Sequence, residues 1–304
     1  MARSKVLDAL TQITDELKNF ERIAKAIKPR PGSIPTIDGI DVYGETLPLN
    51  GIVGGDHLIY MDFKKRYDLD ARIALAREAG QDEVARKLET CKTMAGIAVI
   101  DVSGHQSTDA MLAAMVHQAF LMGALYELDL FGNITNRLFE NLNIRLNRSS
   151  LVNKFVTALY GEISAGGRFR FLSAAHPPPL IFSAEHDRFM EVAPEMLTVF
   201  PPLGTVPSEH DIDRREQESV MGLKGRYEIN EWHLMGVGDI MLLHTDGLTD
   251  HARGEEPHFP DRLEHIVRSS KHLPAAGIVE AIKADLEGFA EQLDDITLVA
   301  IKRV

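Results

Sequence analysis

Apolar positions near the start of the chain follow a heptad rhythm. Val6, Leu10, Ile13, Leu17, Phe20, Ala24 and Ile27 are spaced 4, 3, 4, 3, 4, 3, which predicts a helix over 3–28 with one continuous apolar seam. Such a seam fits a coiled-coil pairing with a second copy or an amphipathic helix docked on its own domain. The run KPRPGSIPTIDG (28–39), with three prolines and two glycines, ends the helix as a linker. Residues 1–39 are thus a helix plus linker, and 40–304 the folded body.

Beyond the linker the pattern switches between strand-length apolar runs and helical stripes. His57–Met61 and Ala95–Ile100 read as strands. Between them, 67–93 is charged and carries two short stripes, Leu69/Ile73/Ala76 and Val84/Leu88/Cys91, split by Ala79-Gly80-Gln81. That is the punctuation of a helical hairpin inserted between two strands. A long apolar helix over 108–126 and a second with Ile134, Leu138, Leu142 and Leu146 follow. Met111, Met115 and Met122 on the long helix are expected in the core. Lys154–Ile163 and Arg168–Ala174, joined by Ala165-Gly166-Gly167, read as a β-hairpin. Further strands are expected at 180–182, 228–234, 240–244 and 296–302, with a helix at 277–290. Strands arranged in hairpins favour an antiparallel, layered α+β fold.

Composition narrows the function. With 45 acidic against 33 basic residues the net charge is −12, which argues against nucleic acid as a partner. The single cysteine, Cys91, excludes a disulfide framework and a Cys-rich zinc site and suits a reducing cytoplasm. The opening stretch has no apolar core of a signal peptide. Met111–Tyr126, the most apolar helical stretch, is expected to be too short to span a membrane and contains His117 and Gln118.

The chemistry lies in where aspartates fall. Asp56 precedes HLIYM, Asp101 follows AGIAVI, Asp246 follows IMLLHT, and Asp294-Asp295 precedes ITLVAI. Each marks a strand end beside a turn or glycine. Taken singly, aspartate at a strand end is an ordinary turn former. Brought together, four would offer the hard oxygen ligands that Mg²⁺ or Mn²⁺ prefers.

The local motifs are Gly54-Gly55-Asp56, Asp101-Val102-Ser103-Gly104-His105, Ser173-Ala174-Ala175-His176-Pro177-Pro178-Pro179-Leu180, Thr245-Asp246-Gly247-Leu248-Thr249-Asp250 and Asp294-Asp295-Ile296-Thr297. In this order, over residues 50–303, they resemble the signature of bacterial PPM-type metal-dependent serine/threonine phosphatases, the SpoIIE-like group with its RsbU-type stress phosphatases. The resemblance implies a two-layer antiparallel β-sandwich flanked by helices, with two Mn²⁺ or Mg²⁺ ions at one edge. It implies Asp56, Asp101, Asp246 and Asp294 as metal ligands, Asp101 as the bridge, and Val102 as a ligand through its carbonyl. Asp295, Gly247 and His176 would lie behind them, and the helix at 108–126 would be a mobile switch element. Gln106 stands where the family usually has glycine, Asp109 where small residues are common, and the 67–93 hairpin where many relatives have a short turn.

The expected activity is hydrolysis of phosphoserine by a metal-activated water, with Asp101 and Asp246 in the catalytic centre and His105 as the candidate acid for the leaving oxygen. His176, before three prolines, is expected to be a turn residue bonded to backbone. The resemblance implies a phosphorylated STAS-domain anti-anti-sigma factor or similar partner-switching regulator as substrate, in the cytoplasm, with neither nucleic acid nor membrane as partner. A homodimer through the heptad helix is the second expected association. The competing reading is a catalytically weak scaffold of the same fold. Gly54-Gly55-Asp56 also resembles the loop of cyclic-dinucleotide cyclases, but His57-Leu58 stands where those have an acidic and aromatic pair.

Overall fold

The computed structural model describes residues 2–27, 29, 34–49, 54–104, 107–149, 154–214, 221–233 and 236–304. His105, the candidate acid, lies outside the described residues. In chain order the elements are α1 (Ala2–Ile27), β1 (Ile40–Leu47), β2 (His57–Asp62), α2 (Phe63–Arg66), α3 (Leu69–Glu78), α4 (Asp82–Cys91), β3 (Met94–Val102), α5 (Ser107–Phe131) and α6 (Asn136–Arg148). Then come β4 (Val156–Ser164), β5 (Phe169–Ala174), β6 (Leu180–Ser183), β7 (Arg188–Phe189), β8 (Val199–Phe200), β9 (Asn230–Trp232), β10 (Ile240–His244) and α7 (Asp246–Thr249). The chain ends with β11 (Ala252–Arg253), β12 (Glu256–Pro257), α8 (Asp261–Ser270), α9 (Ala275–Phe289) and β13 (Ile296–Arg303).

Two sheets carry the fold. One has the order β1-β13-β10-β6-β7; the other has β2-β3-β4-β5-β8, with β9 also paired to β5. All pairings within them are antiparallel except β5 with β8. Alternate side chains of each strand enter different cores. Ile97 and Val99 of β3 pack with Leu58, Leu159, Met241, Leu243, Val299 and Ile301 between the sheets. Ala98, Ile100 and Val102 face the opposite way, against Phe120, Leu128 and Leu142 of α5 and α6. On the other sheet Leu242, Leu298 and Ala300 pack on Leu263, Val267, Ile278 and Ile282 of α8 and α9. Helices covering both outer faces explain why these antiparallel strands read as continuous apolar runs instead of alternating with polar residues.

The hairpin stripes are buried: Leu69, Ile73 and Ala76 from α3, Leu88 and Cys91 from α4. The Cys91 thiol donates to Gly132 O at 3.4 Å, and burial pushes its pKa up to about 12. It is a packing residue, not a nucleophile.

Four sequence expectations are corrected. The long helix reaches Phe131, so by length and composition alone α5 could cross a membrane; here one face packs on the sheet through Val116, Phe120, Ala124 and Leu128. Met111, Met115 and Met122 are not core: they are 55%, 57% and 63% exposed. A helix apolar on both faces gives no periodic sign of which face is inward. The strand expected over 228–234 shrinks to Asn230–Trp232, with Trp232 buried and its indole N–H donating to Met196 O at 2.9 Å. Finally, α8 and β1 were not anticipated.

Candidate active site

Register gathers the acidic strand ends in two pairs, one on each sheet. His57 pairs with Ile100 across β2 and β3, so Asp56 lies opposite Asp101. Asp101 pairs with Thr157 of β4. On the other sheet His244 pairs with Leu298, which brings Asp246, just beyond β10, beside Asp294 and Asp295, just before β13. Hydrogen bonds from Gly55 N–H to Asp295 and from Thr245 to Asp56 join the two sheets here, so the sandwich presents Asp56, Asp101, Asp246 and Asp294 at one edge. Asp56 is 2% exposed, Asp101 is half-buried, and Asp246 and Asp294 are open to solvent.

Their electrostatics confirm the proximity. Burial, then the charges of Asp246, Asp294 and Asp295, push the Asp101 carboxyl up to about 7. Burial and then Asp101 hold Asp56 well above the usual carboxylate range, against the opposing effect of a hydrogen bond from Thr245. Asp246 is raised by burial, then by Asp294 and Asp250. Mutual repulsion of this kind among carboxylates is what a bound cation would relieve. Among the described residues no three His, Cys, Asp or Glu side chains form a ready-made metal cage; Asp101 is the carboxylate that feels Asp246 and Asp294 on one side and acts on Asp56 on the other. The donor set is all oxygen, which suits Mg²⁺ or Mn²⁺ better than zinc, whose sites favour nitrogen and sulfur.

Asp295 differs from its neighbour. It is 3% exposed, and its carboxylate accepts the N–H of Leu49 and of Gly55, each at 2.7 Å. Asp294 is exposed and accepts the N–H of Asp295 at 2.8 Å. The buried carboxylate is thus tied to backbone, and the open one faces the edge. Glycines make this possible. A Cβ on Gly54 would lie 1.9 Å from Asp295 Oδ2, and one on Gly247 2.1 Å from Asp295 O. A Cβ on Gly55 would lie 2.3 Å from Gly104 O and 2.4 Å from Val102 O, so the Val102 carbonyl is held close beneath the Gly54-Gly55-Asp56 turn. Val102 N–H donates to Gly55 O at 3.3 Å.

Hydroxyls orient the buried acids. Thr245 Oγ1 donates to Asp56 Oδ2 at 2.7 Å and accepts from Thr297 N–H at 2.8 Å. Thr157 shares a 2.9 Å hydrogen bond with His176 Nδ1 and also bonds Asp101. With Thr157 donating to the carboxylate, it accepts from the imidazole. His176 is 3% exposed, and burial, then His244, lowers its pKa to about 3, so the ring is neutral. The ring thus bonds the Thr157 side chain and, as expected of a turn residue, the backbone of His244; Ser173 Oγ donates to His176 O at 3.0 Å.

Sequence reasoning missed Lys154 and underrated Asp109. Lys154 Nζ lies 2.7 Å from the 1%-exposed Asp109 carboxylate and donates to Ser103 O at 2.8 Å. The pair clamps the loop that follows Asp101, and the only hint in the sequence was an aspartate where small residues are common.

The raised carboxyls make a signed prediction. A group whose folded pKa exceeds its unfolded value stabilises below the unfolded pKa and loses that contribution as pH rises through the folded one. For Asp101 the window runs from about 4 to about 7. In EDTA, Tm should fall between pH 5 and pH 8, and Asp101→Asn should raise it at pH 8 by about 2–4 °C, equivalent to about 1–2 kcal/mol after solvent screening. A flat profile in differential scanning calorimetry, or a less stable variant, would contradict the electrostatic picture.

Comparison with known proteins follows the same lines. The family model for Stage II sporulation protein E (SpoIIE) matches residues 92–304. No curated protein matches the chain by sequence. Among solved structures, the SiaA-PP2C domain of Pseudomonas aeruginosa is similar at 18% identity and TM-score 0.62, over 97% of each chain. The RsbU and RsbW domains of Rv1364c from Mycobacterium tuberculosis align at 20% identity and TM-score 0.59, over 88% of this chain and 61% of that one. The present chain thus spans about three fifths of that relative's length. RsbX in complex with magnesium aligns at 15% identity and TM-score 0.51, over 87% and 96% of the two chains. At such identities the structures speak for the fold, while the family model covers more than half of the sequence. The chain belongs to the SpoIIE family of PPM-type serine/threonine phosphatases.

Proposed function

We propose that this chain is a cytoplasmic phosphatase that removes phosphate from phosphoserine on a partner-switching regulator, a STAS-domain anti-anti-sigma factor or a close equivalent. The observation that carries the reading is the convergence of Asp56, Asp101, Asp246 and Asp294 at one sheet edge, with the first three raised by burial and mutual charge. These four carboxylates and the Val102 carbonyl would hold two Mn²⁺ or Mg²⁺ ions. Bound there, the ions would neutralise phosphoryl charge and supply an activated water.

The residues of the chain divide the remaining work. Thr245 fixes the rotamer of Asp56, and Thr157, backed by neutral His176, fixes that of Asp101. Asp295 binds the Gly54-Gly55 turn to the start of β13, so the two sheets cannot slide apart at this edge. Asp246 and Asp294 stand at the open side, where a phosphoserine side chain arrives from solvent. His57, His176 and His244, the described histidines of this edge, are all buried; a proton donor to the serine oxygen has to come from elsewhere. The STAS-type substrate is supported by the family resemblance and by the likeness to an RsbU domain. Phosphate release from a phosphoserine-bearing STAS protein, with and without Mn²⁺, tests the reading.

We further propose a homodimer through α1. Leu10, Ile13 and Leu17 of the heptad seam are 56%, 63% and 44% exposed, and a continuous apolar seam in water calls for a second helix. α1 touches α5, whose exposed methionines extend the apolar surface. Deleting residues 1–35 should halve the mass in solution and lower specific activity several-fold. Light scattering and activity both unchanged would remove this proposal and leave the phosphatase reading intact.

A further inference from the structure

The Lys154–Asp109 pair stands where an apolar contact would stabilise the fold at less cost. The Asp109 side chain is 1% exposed and that of Lys154 36%. Taking a carboxylate out of water is expensive, and the best attested use of a buried ion pair is to fix position or register. The residues around this pair show what it fixes.

Ser103 is gripped from one side by residues 154 and 155. Its N–H donates to Phe155 O at 3.0 Å, its hydroxyl accepts Phe155 N–H at 3.1 Å, and its carbonyl accepts Lys154 Nζ at 2.8 Å. These bonds hold two successive peptide planes. The first contains Val102 O and Ser103 N–H; the second contains Ser103 O and Gly104 N–H. With the first held by Phe155 and the second by Lys154, the carbonyls of Val102 and Gly104 both come to lie against Gly55. A Cβ there would be 2.4 Å from Val102 O and 2.3 Å from Gly104 O. Asp109, in the first turn of α5, aims the lysine: its carboxylate lies 2.7 Å from Nζ. Gly104 has a φ of +109°, and a Cβ on it would lie 2.5 Å from Asp109 Oδ2 and 2.7 Å from Lys154 Nζ. Only glycine lets the pair close on the loop.

We propose that Lys154, held by Asp109, is a positioning residue for the metal centre. It fixes the Ser103–Gly104 peptide and so keeps the Val102 carbonyl in place beside Asp56 and Asp101. The inference rests on the reading of Val102 O as a metal ligand, and neither side chain of the pair is asked to touch metal or substrate. Groups that orient a metal ligand from behind commonly change metal affinity by about 10–100-fold when removed. Because the two charges cancel, removing both leaves the field at the carboxylate edge nearly unchanged, and what is lost is orientation.

Isothermal titration of Mn²⁺ into the full-length protein tests it. Lys154→Met/Asp109→Asn leaves no buried carboxylate bare and should bind Mn²⁺ about tenfold more weakly than the wild type. Lys154→Arg, which keeps a charged donor, should stay within about threefold. Lys154→Gln/Asp109→Asn, a milder pair that keeps a neutral donor, should fall between them. With p-nitrophenyl phosphate, the Mn²⁺ concentration giving half-maximal rate should rise by the same factors. A thermal melt in EDTA checks that each variant is folded; a role in folding alone would lower Tm and leave Mn²⁺ affinity where it was. Wild-type Mn²⁺ affinity in either folded double variant would overturn the inference and leave the phosphatase reading standing. A wild-type chain that binds no Mn²⁺ would overturn both.

Discussion

Asp246→Asn should abolish turnover while leaving the fold intact. Asp246 is exposed and begins the short helix α7, so the isosteric amide disturbs no core packing. What it removes is one negative oxygen from a set of four. An amide is a poor ligand for a hard cation, and the remaining carboxylates would hold the ions more weakly and in altered positions. A loss of about three orders of magnitude in kcat, about 4 kcal/mol of transition-state stabilisation, is expected at saturating Mn²⁺. Tm in EDTA should be unchanged or slightly higher, because partial desolvation by its neighbours and the charge of Asp294 destabilise the ionised Asp246 in the native state. Undiminished turnover in the variant would sink the assignment of this edge as the metal centre.

Asp295→Ala should be the most damaging single change to stability at the site. Its buried carboxylate accepts the N–H groups of Leu49 and Gly55, and two backbone donors left bare inside the protein are costly. Charged hydrogen bonds of this kind contribute about 1.5–3 kcal/mol each. Partial relief of repulsion toward Asp56 and Asp101 offsets some of that, so a net loss of about 3 kcal/mol is expected, lowering Tm by about 6 °C or more. Asp294→Ala, at an exposed side chain, should leave Tm within a degree or two and remove activity. The pair of variants separates the two adjacent aspartates. Should Asp295→Ala melt normally and Asp294→Ala keep its activity, the assignment has slipped by one residue.

Much of the fold could be read from the chain because strand ends and turn chemistry are local properties. The β10 run IMLLH and the β4–β5 hairpin lie where their apolar runs and Gly166-Gly167 place them. β1 is less legible: IDVYGETL is half polar, with Gly44 at its centre. That glycine is required by close packing, since a Cβ there would lie 2.7 Å from Leu298 O. α8 hides because its stripe, Leu263, Val267 and Ser270, is short and set among charges. Gly54 and Gly55 read as flexibility from sequence; in three dimensions their missing side chains make room for Asp295 and for the Val102 carbonyl.

The candidate site divides in the same way. Aspartates at four strand ends are visible in the sequence, but their convergence comes from how the two sheets stack, which only the motif order could suggest. Thr157 and Lys154 carry no sequence signal of their own, while Thr245 and Asp109 stand in or beside the motifs without showing what they bond. Which face of α5 points outward was likewise settled by packing on β3, since both faces are apolar.

Phosphate release from a phosphoserine-bearing STAS protein, and in parallel from p-nitrophenyl phosphate, with Mn²⁺ present or chelated, decides whether the carboxylate edge is a metal-dependent phosphoserine hydrolase. Release that needs Mn²⁺ and disappears in Asp246→Asn is the predicted result. Mn²⁺ binding without release from either substrate, or release that persists under chelation, would contradict it.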